Sequence, residues 1–158
     1  MRVLFVCSGN ICRSPTAEAV LRALAEDEER GAGLEVDSAG IGAWHVGSPP
    51  DERSTRAAAA RGIELGGRAR KVTLSDFEEF DLLVAMDSGH VRDLEALAPD
   101  SAATEKIRLL RDYDAEAVEA GDTDVPDPYY GGPDGFEDVL DMIDRGARGL
   151  LAEVSGHR

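Results

Sequence analysis

The chain opens with a run that permits few folds. Val3, Leu4, Phe5 and Val6 are apolar without alternation, and Cys7-Ser8-Gly9-Asn10 follows at once. A run with no polar face reads as a strand over residues 2–6 that is buried on both sides, as in a parallel sheet with helices above and below. A helix then has to start within a few residues. Ser14 and Pro15 read as an N-cap and a first-turn proline. Ala17, Val20, Leu21, Leu24 and Ala25 continue at helical spacing until Gly31 and Gly33 stop the pattern.

The alternation repeats along the chain. Residues 34–38 read as a second strand, 39–50 as a Gly/Pro-rich loop carrying Trp44, and 51–61 as a helix stopped by Gly62. Residues 80–86 form the clearest further strand, with Leu82, Leu83, Val84 and Ala85, and a helix from 88 to 97 follows. Residues 107–110 make a weaker strand, and 112–133 an acidic, proline-bearing loop. Phe136, Val139, Leu140, Ile143, Ala147 and Leu150 then place one apolar stripe on a final helix. Strands alternating with helices predict right-handed crossovers and a parallel sheet. The expected fold is α/β: a single doubly wound domain over residues 1–158, with a four-stranded parallel sheet and helices on both faces. Ligands of such sheets bind beyond the carboxyl ends of the strands. That rule brings the Cys7 loop, the Trp44 loop, the segment after Met86 and the Asp127 loop to one edge.

With 42% hydrophobic residues the chain has enough apolar mass for a filled core. Its formal net charge of −15 argues against general binding to nucleic acid or to anionic membranes, both of which need a basic face. Two cysteines are too few for a disulfide scaffold. With no signal peptide ahead of the first strand and no bilayer-length apolar run, the expected location is the cytoplasm.

The loop between the first strand and helix concentrates the chemistry. Its backbone N–H groups can curl into an anion-binding nest, to which the following helix adds its positive end. Gly9 eases the tight turn, Asn10 tolerates a left-handed conformation, and Arg13 offers a planar fork to two anion oxygens. Helix end, nest and fork all favour the thiolate of Cys7, and the Ser14 hydroxyl can donate to it. Small cysteines packed at a core edge would account for Cys7 and Cys12, but not for the Arg13 fork or the helix start. Zinc fits poorly, because His45, His90 and His157 are scattered and two cysteines five apart match no usual zinc spacing. A calcium loop at 122–133 lacks the Gly of its sixth position and has Pro133 at its twelfth. The glycine fingerprints of dinucleotide and nucleotide sites are absent.

The stretch Val6-Cys7-Ser8-Gly9-Asn10-Ile11-Cys12-Arg13-Ser14-Pro15 resembles the active-site signature of the low-molecular-weight protein tyrosine phosphatases, of bacterial type. Asp37-Ser38-Ala39-Gly40, Trp44-His45-Val46-Gly47, Ala85-Met86-Asp87 and Asp127-Pro128-Tyr129-Tyr130 fall in that family's order. The resemblance implies hydrolysis of phosphotyrosine through a phosphocysteine on Cys7. Ser8, Gly9, Asn10, Ile11, Cys12, Arg13 and Ser14 would form the phosphate-binding loop, and Asp127 would be the general acid and then base. Val125-Pro126-Asp127-Pro128 stiffens the loop that carries this carboxylate. Trp44, Tyr129, Tyr130 and Ile11 are candidates for the walls of a slot for an aryl ring. Related protein-arginine phosphatases carry Thr at the position of Ile11, so an apolar residue there favours tyrosine. Cys12 resembles the family's second thiol, which forms a reversible disulfide with the nucleophile. Asn10, Ser38 and Asp87 read as supports of the loops. Many relatives brace the loop asparagine with a histidine near position 67. This chain has Gly66-Gly67-Arg68, so its brace is expected to be weaker or built differently.

The resemblance implies no metal or organic cofactor. Expected partners are phosphotyrosine proteins, with phosphate or vanadate as site ligands, and the chain is expected to be a monomer. Arsenate reduction on a similar fold resembles a relay through later cysteines, and none follows Cys12. A non-catalytic phosphate-binding module would have no use for Asp127.

Overall fold

The computed structural model describes residues 1–128 and 133–156. Four parallel strands lie in the order β2-β1-β3-β4: β1 (Arg2–Cys7), β2 (Glu35–Gly40), β3 (Leu82–Ala85) and β4 (Ile107–Leu109). The helices are α1 (Arg13–Asp27), α2 (Glu52–Ala59), α3 (Leu74–Glu79), α4 (Ser88–Leu97), α5 (Ser101–Thr104), α6 (Ala115–Ala120) and α7 (Pro133–Gly156). A 3₁₀ turn at Leu110–Tyr113 leads from β4 towards α6.

The uniform apolar run of β1 has the expected cause. Val3, Phe5 and Cys7 join one core with Val20, Leu21 and Leu24 of α1 and Ile143, Leu150 and Leu151 of α7. Leu4 and Val6 point the other way, into a second core with Phe77 of α3, Leu94 of α4 and Ala103 of α5. Strand side chains alternate between faces, so a strand covered on both sides has no polar position. Leu4 and Phe5 are fully buried, each worth roughly 1.5–3 kcal/mol against exposure. α7 carries the predicted stripe, with Phe136, Val139, Leu140, Ile143, Ala147 and Leu150 all buried.

From β1 the chain winds to β2 on one side, and from β3 to β4 on the other. The crevice at that reversal lies beyond the carboxyl ends of β1 and β3. Cys7 ends β1 opposite Gly40 of β2, and Asp87 follows β3 at the head of α4.

Three local readings change. Ser14 is not the N-cap: α1 begins at Arg13 with Cys12 in the cap position, which frees the Ser14 hydroxyl to face Cys7. The segment expected to be irregular from 112 holds α6, capped by the Asp114 carboxylate on Glu116 N and ended by Gly121 in the left-handed region. α3 and α5 also fill stretches left without structure, α3 through a capping box between Thr73 and Asp76. No described helix is long and apolar enough to cross a membrane.

Candidate active site

The loop after Cys7 is pinned by its asparagine. Asn10 has φ 59°, the left-handed conformation that an Asn tolerates. Its Oδ1 accepts from Arg70 N at 3.0 Å, and its Nδ2 donates to Ser14 Oγ at 2.8 Å and Ser38 Oγ at 3.0 Å. Ser38 in turn donates to Glu18 Oε1 at 2.7 Å. The expected departure in the brace is real: a main-chain N–H of Arg70 takes the Asn10 carbonyl oxygen, with no side chain from 66–68 involved. Burial pushes the Glu18 carboxyl up, against the Ser38 bond and the nearby Arg22.

Ser14 Oγ lies 2.9 Å from Cys7 Sγ. Because Asn10 already donates to this oxygen, the hydroxyl proton is free for the sulfur, or for Ala39 O at 3.4 Å. Backbone contacts tie the floor to β2 and the segment after it: Ile41 N donates to Cys7 O at 2.9 Å and Gly42 N to Ser8 O at 3.0 Å. This approach requires Gly40, where a Cβ would sit 2.9 Å from Ser8 O and 3.2 Å from Asn10 N. Gly9 makes room for a side chain rather than for an unusual φ, since a Cβ there would meet His45 Cδ2 at 2.7 Å.

Arg13 is buried and aimed across the floor. Its Nη1 donates to Asp87 Oδ2 at 2.8 Å and Val125 O at 2.9 Å. Its Nη2 donates to Ser8 Oγ at 3.5 Å and lies 3.7 Å from Asp127 Oδ2. Burial alone would raise the Asp87 carboxyl. The bond from the His90 main-chain N–H and the Arg13 guanidinium outweigh it, and hold the group below the usual carboxylate range. Cys12 has the opposite environment. Burial, with Asp51, Cys7 and Asp127 nearby, pushes its thiol up to about 12 against a hydrogen bond with Ser54.

Asp127 comes from a segment anchored just upstream. Val125 is fully buried, and its N–H donates to Met86 O at 2.8 Å. Asp124 Oδ1 accepts from Ser88 N at 2.8 Å, and Asp124 O from the buried Arg111 Nη1 at 2.6 Å. The Asp127 side chain itself is 37% exposed.

These residues meet in one cleft of about 510 Å³, lined by Cys7, Ser8, Gly9, Ile11, Cys12, Arg13, Trp44, His45 and Asp127. Trp44 stands at the mouth, 73% exposed, with its ring against Gly42. Tyr129 and Tyr130, the other expected wall residues, lie outside the described residues. The sequence reading missed Arg70, Arg111, His45 and the pairing of His90 with Ser8, which joins Ser8 Oγ to His90 Nε2 at 2.8 Å. Its Trp-His-Val-Gly and Met-Asp segments pointed to the right loops without these partners.

A buried thiol at the base of a strand-to-helix loop, lining a cleft at the switch point of a parallel sheet, defines the class: an α/β protein with a cysteine on the floor of its cleft. A family model described as low molecular weight phosphotyrosine protein phosphatase matches residues 2–158. A low molecular weight protein-tyrosine-phosphatase of Streptomyces coelicolor is 54% identical over 153 residues, 97% of this chain and 93% of that one. The crystal structure of a protein tyrosine phosphatase from Entamoeba histolytica, with Hepes in its active site, superposes with TM-score 0.93 at 35% identity, covering 99% and 98% of the two chains. That of a Drosophila arginine phosphatase does so with TM-score 0.89 at 34% identity, covering 98% of each. The chain belongs to the low molecular weight phosphotyrosine protein phosphatase family.

Proposed function

We propose that this chain hydrolyses phosphotyrosine in proteins, in the cytoplasm, through a phosphocysteine on Cys7. The observation that carries this reading is the convergence of Cys7, the Arg13 fork and Asp127 on one cleft, with Ser14 Oγ 2.9 Å from the sulfur. The Cys7 thiolate attacks phosphorus in line, and the bond to the phenolic oxygen breaks as Asp127 gives that oxygen its proton. Asp127 must enter protonated for this transfer. Arg13 and the loop N–H groups hold the remaining oxygens as charge shifts among them. Water then attacks the phosphocysteine, Asp127 takes its proton, and the S–P bond breaks to return the thiolate and release phosphate. Ser14 donates to the sulfur at both ends of the cycle. Cys12 is the resolving thiol: if Cys7 is oxidised to a sulfenic acid, Cys12 displaces water from it and forms a disulfide.

Phosphoarginine is the second reading, favoured by the likeness to the Drosophila arginine phosphatase. Ile11 on the cleft wall weighs against it, since an apolar side chain suits an aromatic ring and offers a guanidinium no acceptor. The test is hydrolysis of p-nitrophenyl phosphate with a metal chelator present, then phosphotyrosine and phosphoarginine peptides side by side. Turnover without metal, inhibition by vanadate, phosphorus trapped on Cys7 and preference for phosphotyrosine are expected. A requirement for added metal would overturn the mechanism, and preference for phosphoarginine would overturn the substrate.

A further inference from the structure

His90 stands on α4, outside the phosphate loop, yet it closes a ring of side chains around Arg13. Asp87 Oδ2 accepts from Arg13 Nη1 at 2.8 Å, and Arg13 Nη2 donates to Ser8 Oγ at 3.5 Å. Ser8 Oγ meets His90 Nε2 at 2.8 Å, and His90 Nδ1 lies 3.3 Å from Asp87 Oδ1. The imidazole is 4% exposed. Nδ1 is buried and makes no hydrogen bond of good geometry, so the Asp87 carboxylate is the group that its proton state must answer to.

The chemistry of a neutral imidazole fixes the direction of the ring. A lone pair on Nδ1 would face the Asp87 carboxylate, whereas a proton there is attracted by it, so the Nδ1–H tautomer is preferred. Nε2 is then an acceptor, and the Ser8 hydroxyl donates to it. The Ser8 lone pairs are left for the second arm of Arg13. The charged groups acting on the imidazole are Arg13, Asp87, Asp93 and Asp127. Burial and Arg13 keep it neutral against the three carboxylates.

We propose that His90 is a positioning residue for phosphoryl transfer: as the Nδ1–H tautomer it orients the Ser8 hydroxyl, and through it the second arm of the Arg13 fork. The proposal rests on the phosphatase reading for its kinetic consequence, but not for its geometry. A buried histidine that merely filled space would impose no tautomer on itself and no direction on Ser8.

Two measurements test this. Nitrogen NMR of the wild-type protein at neutral pH reads the tautomer without any turnover. The Nδ1–H form with Nε2 as acceptor is expected, and the Nε2–H form would overturn the proposal even if the protein is an active phosphatase. The second is a cycle of Ser8→Ala and His90→Leu, read as kcat/KM on p-nitrophenyl phosphate and as binding of inorganic phosphate. Each single variant is expected to lose about tenfold in kcat/KM, the worth of one hydrogen bond to a charged group. The double variant should lose no more than either, because the two act as one unit. His90→Gln, which restores an acceptor towards Ser8, should recover most of the loss. Additive losses, or no rescue by His90→Gln, would overturn the proposal. A wild-type protein with no turnover that still binds phosphate and shows the expected tautomer would instead sink the phosphatase reading alone.

Discussion

The two walls of the cleft are held by different means. The floor is eight consecutive residues, 7 to 14, fixed by buried side-chain hydrogen bonds that converge on Asn10 and Ser14. The wall carrying Asp127 is fixed two and three residues upstream, through Val125 and the main chain of Asp124, while its carboxylate stays partly exposed. The contrast suits the proposed division of work. An oxyanion cradle has to be preorganised, because its donors must already stand where charge develops. A proton donor has to reach a leaving group and later a water, which suits a carboxylate open to solvent on the cleft wall. Changes at Asn10 and Ser14, which hold the floor in shape, should therefore disturb anion binding and stability together, and changes in the wall should disturb turnover alone.

The largest effect tests the sulfur. Cys7→Ser should bring turnover below detection and leave no phosphorus on the protein, while inorganic phosphate still binds in calorimetry. Loss of phosphate binding as well would mean that the floor is not a scaffold independent of its nucleophile. Asp127→Ala should lower kcat by roughly 10²- to 10⁴-fold, the usual worth of a general acid, with phosphate affinity unchanged. An equal loss of affinity would erase the contrast. Asn10→Ala removes three hydrogen bonds and places Ala at φ 59°; a destabilisation of about 3 kcal/mol is expected, read in a urea titration, with weaker phosphate binding. Stability at the wild-type level would show the floor to be less constrained than its hydrogen bonds imply. Arg111→Met loosens the wall through Asp124 O, and about a tenfold fall in kcat is expected with phosphate affinity intact.

The smallest effect is in pH. His90 and Asp87 both hold protons less readily in the fold than their ordinary values of 6.5 and 3.8. The unfolded chain then binds more protons, so stability rises with pH through this range. The His90 contribution is whole above 6.5 and is lost as pH falls towards the folded value. Glu18 works the other way: its raised carboxyl contributes stability at low pH that is lost as pH rises through its folded value. Tm should fall between pH 7 and pH 5, and His90→Gln should flatten part of that slope. An unchanged slope in the variant would remove His90 from the balance.

Much of this was legible in the chain because the strongest patterns are local. β1 and β3 follow from apolar runs, and the floor occupies a single uninterrupted stretch. Other parts were hidden for physical reasons. α3, α5 and α6 span six, four and six residues, too few for a helical period to emerge. A sharper eye for caps would have found α3, since Thr73 and Asp76 stand three apart as a capping box does. Ser14 had an obvious capping chemistry, but the geometry gives its hydroxyl to Cys7 instead. Arg70 braces Asn10 with its main chain, and a main-chain donor leaves no mark on residue type. His90 and Arg111 look like surface residues of a polar stretch, and only the fold buries them.

The sheet's outer margins have a consequence for how the chain behaves when concentrated. On one side β4 is three residues long. On the other, the Gly40 N–H and C=O at the end of β2 are already taken by Arg70 O and Val72 N. The one border is short and the other is closed at its Gly40 end, which shortens the row of main-chain groups on which a second molecule could lay a strand. With a formal charge of −15 repelling its own copies, the chain should stay dispersed at high concentration instead of seeding fibrils.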